Sequence, residues 1–196
     1  MILVEAAAFA SGPSGGLLLG ASGAGKTTLL TRLLKETRSA FVANDEVFVT
    51  DAADGALAIG APIHVMIRRA LAVQEAAFSD LLSRYLEGVE KTSVHYRDFA
   101  RRMGVELQRA CKVRFFGHVV EGADVRRLDG EDAFRALESA ARWRGAWGPP
   151  WREAFRGELS SASQELDALR RLSRTVPSFA VGRDVPTGAL TRLANG

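Results

Sequence analysis

Cysteine is all but missing from these 196 residues. Cys111, standing alone, cannot form an internal disulfide, so a disulfide-held secreted scaffold is excluded and a reducing, cytoplasmic setting is expected. No apolar run approaches the ~20 residues that cross a bilayer. The apolar opening stretch 1–10 contains Glu5 and has no basic start, so neither a membrane anchor nor a signal peptide is expected. Lysine is scarce too. It occurs at 26, 35, 91 and 112, and the other 22 of the 26 basic residues are arginine. The net charge of +3 is small, and acids interleave with the arginines without a block of one sign, which argues against a nucleic-acid surface. His64, His95 and His118 show no zinc-ligand spacing with Cys111. Cys111 lies in an apolar-alternating stretch, so packing is its expected role.

What is present begins with an apolar fraction of 47% and a charged fraction of 25%, values of a globular protein. The length suits one α/β domain, 1–196, and is too short for two ordinary ones. The most informative stretch is Gly20-Ala21-Ser22-Gly23-Ala24-Gly25-Lys26-Thr27. Two glycines five apart, followed by Lys and Thr, fit the phosphate-binding loop, or P-loop (Walker A). Such a loop turns its main-chain N–H groups toward phosphate oxygens, and the helix behind it adds a positive dipole end. Lys26 would reach the β- and γ-phosphates, Thr27 would sit on Mg²⁺, and Thr28 continues the nucleotide-binding run. The flanks agree. Residues 16–19 read as an apolar strand, and 27–34 as a helix with leucines at 29, 30, 33 and 34.

Further along, residues 1–10 read as a strand and 39–43 as a buried strand. Extended segments at 46–50 and 56–60 flank a hairpin turn at 51–55. Residues 64–87 have apolar spacing expected of a helix. A helix is expected at 96–103, a core strand at 111–116, helices at 131–143 and 160–172, a strand at 176–181 and a final helix at 185–193. The organisation expected is thus a nucleotide-binding core over 1–62 and a mostly helical remainder over 63–196. All three tryptophans fall at 143–151, and segment 143–157 is a candidate acceptor groove or lid.

Asn44-Asp45-Glu46 closes the strand that follows the first helix. Ligands bind at the carboxyl ends of strands in open α/β sheets. If the strand ending at 43 neighbours the loop's strand, Asp45 stands beside the γ-phosphate. There it could accept the proton of an attacking hydroxyl or help hold Mg²⁺. No separate apolar run ending in Asp supplies a Walker B signal, which argues against motor ATPases and switch GTPases. No Asn-Lys-x-Asp specifies guanine, so GTP has no support.

Residues 17–27 together with Phe41-Val42-Ala43-Asn44-Asp45-Glu46-Val47 resemble the C-terminal kinase domain of HPr kinase/phosphorylase and its shorter bacterial relatives, and Gly60-Ala61-Pro62 stands where that family has a Gly/Pro element. The resemblance covers residues 1–62. It implies an α/β fold with a PEP carboxykinase/HPr-kinase-like central sheet and flanking helices. It also implies ATP and Mg²⁺ as cofactors and a peptide or protein serine, or a small-metabolite hydroxyl, as acceptor. Carried over by position, Lys26 binds phosphate, Thr27 the metal, and Asp45 is the general base. The strict family is hexameric, which makes a homo-oligomer an option here. Asn44 replaces the family's first Asp, Ile67-Arg68-Arg69 lacks the flanking Glu and Gly, and Glu5 stands in the opening strand where a His precedes the loop. These departures argue against HPr itself as substrate.

Two other readings fit the loop. One is a simple metabolite kinase resembling gluconate kinases, which needs an arginine-bearing lid, with 97–114 as the candidate. The other is a nucleotide-binding regulatory module without an acceptor. Among lesser candidates, His64 follows the proline element, and Arg68 and Arg69 could neutralise transition-state charge. The run 75–90 could meet a protein partner or simply pack.

Overall fold

The computed structural model of the chain describes residues 1–52, 55–141 and 162–196. The tip of the hairpin turn and the tryptophan segment 143–157 lie outside these residues. The opening extended stretch is two strands, β1 (Ile2–Val4) and β2 (Ala6–Ser11), with Glu5 between them. β3 (Ser14–Leu19) returns antiparallel to β2 and leads through the glycine loop into α1 (Lys26–Thr37). β4 (Ala40–Ala43) follows, then the hairpin strands β5 (Val47–Ala52) and β6 (Gly55–Gly60).

Residues 64–87 correct the expected helix. They form strand β7 (His64–Arg68), a short helix α2 (Arg69–Gln74) and a 3-10 helix at Ala76–Arg84. Val65 and Ile67 alternate inward between exposed His64 and Met66, so period two wins where β-branched residues meet a partner strand. That partner is β8 (Lys91–His95), which pairs with β7 as a separate two-stranded ribbon. Phe78, Leu81 and Tyr85, on or just past the 3-10 helix, are buried in the core, while Leu82, Leu86 and Val89 of the same run are exposed.

α3 (Tyr96–Met103) leads to β9 (Ala110–Val120), the longest strand, then β10 (Val125–Arg127), α4 (Gly130–Ala140), α5 (Ala162–Thr175), β11 (Ser178–Gly182) and α6 (Thr187–Asn195). β9 branches the sheet. Along one edge it runs parallel to β3; along the other its first half pairs with β6 and its second half with β11. The large mixed sheet therefore draws its central strand from beyond residue 62. Close approach there requires glycine: a Cβ at Gly16 would enter the Phe115 ring.

Each face of the sheet has its own cover. Phe9, Leu18, Phe41 and Phe115 pack under α1, α3, α6 and the ribbon. Ala8, Leu17, Leu19, Val42 and Phe116 pack under α4 and α5. Neighbours alternate between the two sets, as the pleat dictates. Cys111 is buried on the second face, and burial pushes its thiol pKa up to about 12, which fits packing rather than nucleophilic chemistry. No helix among the described residues is long and apolar enough to cross a membrane.

Candidate functional site

The strand order around the loop is β9-β3-β2-β4. β3 and β4 are therefore not neighbours, contrary to the simplest expectation. β2 lies between them, antiparallel to both. Its start meets the carboxyl ends of β3 and β4, so Glu5 arrives at the same edge as the glycine loop and Asn44-Asp45. Sequence reasoning noted Glu5 but gave it no place in the site.

The loop needs its glycines for backbone shape. Gly20, Gly23 and Gly25 have φ of 144°, 92° and 99°, a region that residues with a Cβ rarely enter. Gly25 starts α1, and no side chain caps that first turn, which leaves main-chain N–H groups free to meet an anion. Beneath the loop, Lys26 is buried to 5% exposure. Its ammonium donates to the Gly20 carbonyl at 2.6 Å, the Ala21 carbonyl at 3.1 Å and Glu5 Oε1 at 3.2 Å. All three N–H donors are thereby used, and Ala24 N–H closes the turn onto the Ala21 carbonyl at 3.1 Å.

Asn44 and Asp45 do different jobs. Asn44 is buried, and its Oδ1 accepts a hydrogen bond from Thr27 Oγ1 at 3.1 Å, which ties the end of β4 to the start of α1. Asp45 has φ of 73°, a left-handed backbone that Asp tolerates better than most residues. Asp45 lines a cleft together with Glu5, Ser22, Lys26, Thr27 and Thr28 under the ribbon. Asp45 Oδ2 is buried without a hydrogen-bond partner, as is Asn44 Nδ2. Burial raises the Asp45 pKa above the ordinary 3.8; the Met66 main-chain N–H, the Lys26 charge and the adjacent Asn44 side chain pull it back, and the Glu5 charge adds to the rise.

The ribbon roofs the cleft with Met66, Arg68 and Lys91. Arg68 thus reaches the site, whereas Arg69 and His64 are not among the cleft residues. His64 is exposed on β7, its ring 5.8 Å from that of His95 opposite. Lys91 escaped the sequence reading because its strand was not recognised. On the neighbouring strand, His118 pairs with Leu19, just before the loop. Burial and the Lys26 charge depress its pKa, so neutral imidazole is favoured there. Segment 97–114, the candidate arginine-bearing lid of the metabolite-kinase reading, forms α3, with Phe99 in the core, and the start of β9.

A divalent cation fits these groups in chemistry. The partnerless Asp45 oxygen and the Thr27 hydroxyl are hard oxygen donors of the kind Mg²⁺ takes alongside substrate phosphates. Among the described residues, no three His, Cys, Asp or Glu side chains form a separate metal cage.

No family model and no curated protein matches this chain. Among solved structures, the Hpr(Ser) kinase/phosphatase from Coxiella burnetii is similar with a TM-score of 0.41 and 12% identity, over 65% of this chain and 72% of that one. At that TM-score and identity, nothing of that protein's site or activity carries over to this chain.

Proposed function

We propose that the chain is an ATP- and Mg²⁺-dependent phosphotransferase of the HPr-kinase-like kind, which moves the γ-phosphoryl group to a hydroxyl of a peptide or protein serine or of a small metabolite. One observation carries the reading: a buried carboxylate oxygen of Asp45 without a partner shares a cleft with the Lys26 ammonium and an uncapped helix start. A mere polar turn between strands would leave that acid in solvent.

In this reading the main-chain N–H groups of the loop and the first turn of α1 hold the phosphates. Lys26 exchanges a loop carbonyl for a phosphate oxygen. Asp45 accepts the acceptor's hydroxyl proton while that oxygen attacks the γ-phosphorus, and the bond to the bridging oxygen breaks to release ADP. Asn44 holds Thr27 in place from the end of β4. Mg²⁺ on the Thr27 hydroxyl, with Asp45 helping to hold it through water, would neutralise phosphate charge. The Asp45 pKa, raised by burial, makes the carboxylate a stronger base than an ordinary surface aspartate.

The test is ADP release from Mg·ATP, measured with hydroxyl acceptors of both classes, serine peptides and small polyols or sugars. Acceptor-dependent stimulation is expected. Nucleotide binding with no stimulation by any acceptor would favour the regulatory module instead.

A further inference from the structure

Lys91 has no role in the reaction as written, yet it stands over the loop. It opens β8, lines the cleft with Lys26 and Asp45, and its Nζ donates to Ser22 Oγ at the loop tip, at 3.3 Å. Its contact is with a hydroxyl and not with a carboxylate. Directly opposite, in register, is Arg68, whose Nη2 lies 3.6 Å from where a Cβ on Gly23 would be. Like charges facing each other across antiparallel strands repel. The counter-charge on this pair is Glu90, 3.3 Å from Arg68 and 82% exposed, where solvent weakens it. In a chain whose basic residues are overwhelmingly arginine, two of the four lysines thus bracket one loop, Lys26 below and Lys91 above.

Two opposed cations above an anion-binding loop are most stable with an anion between them. The loop and α1 can reach the inner phosphates. In the nucleotide reading of the cleft, the outermost group would then lie toward Asp45 and the ribbon. We propose that Lys91, with Arg68 opposite, binds the terminal phosphoryl group of a nucleoside triphosphate, so that the β7–β8 ribbon discriminates triphosphate from diphosphate. The proposal rests on reading the cleft as a nucleotide site. It adds a positively charged roof to that site, carried on a structure separate from the main sheet.

The test is calorimetric titration of the wild type, K91M, K91R and S22A with Mg·ATP and with Mg·ADP at one ionic strength. Loss of one charge-assisted contact should weaken ATP about tenfold or more in K91M and leave ADP within about twofold. K91R, which keeps the charge, should lose less than K91M. Equal weakening of both nucleotides, no change in either, or equal losses in K91R and K91M would overturn the proposal. So would an S22A variant that reproduces the K91M pattern, because Lys91 would then serve only to tether the loop tip. A wild type that binds neither nucleotide would instead remove the nucleotide reading itself, and this inference with it.

Discussion

The bodies of β3 and β4 and their carboxyl ends follow opposite rules. Leu17–Leu19 and Phe41–Ala43 are apolar and almost wholly buried, with their main chain paired in the sheet. Just beyond these ends, Gly20 and Asp45 adopt positive φ, Lys26 is buried against carbonyls and an acid, and Asn44 and Asp45 keep buried polar atoms without partners. Interiors are built for packing density and full hydrogen bonding. Departures from both, gathered at one edge of a sheet, mark where strain and desolvation are tolerated for function. The bodies hold the chain together, and the ends are where chemistry is placed.

Substitutions can separate these roles. The largest effect expected is on the bodies. Phe41 is fully buried with its ring 4.8 Å from Phe99, so Phe41→Ala should lower unfolding stability by about 3–5 kcal/mol, measured by urea denaturation. A loss below ~1 kcal/mol would mean the strand body is not the structural element described. At the ends, Lys26→Met should weaken Mg·ATP binding by about 100-fold in titration calorimetry, because a charge-assisted contact to phosphate disappears. Unchanged affinity would separate the loop from nucleotide binding. Smaller still is Glu5→Gln. The Glu5 charge helps to raise the Asp45 pKa, so its removal should move the acid limb of the transfer rate to lower pH. A limb that stays in place would show that Glu5 acts on Lys26 alone.

The loop and Asp45 were legible because their chemistry is local: eight consecutive residues specify a backbone shape, and a polar pair interrupts an apolar strand. The ribbon was not. Met66, Ile67, Leu71, Phe78, Leu81, Leu82 and Tyr85 happen to fit helical spacing, and only pairing with β8 reveals the alternation of Val65 and Ile67. β8 itself carries a single buried apolar residue, Val94, and so gives almost no signal of its own. The same applies to Glu5. Its place depends on β2 inserting between β3 and β4, a long-range choice of neighbours that no window of sequence contains.

The most direct measurement is on Asp45→Asn, followed in parallel by acceptor-dependent transfer, Mg·ATP affinity and thermal unfolding. The raised pKa means that ionising Asp45 costs the folded state. That cost is absent at acid pH, where the carboxyl is protonated, and appears as pH rises through the shifted value. Asn also suits the left-handed backbone at φ 73°. The variant should therefore lose transfer by about 10²–10⁴-fold while still binding nucleotide. It should melt higher than the wild type at neutral pH, with the gap closing toward acid. A variant that transfers phosphate at the wild-type rate, or one that melts lower at neutral pH, would contradict the placement of a desolvated catalytic base at the end of β4.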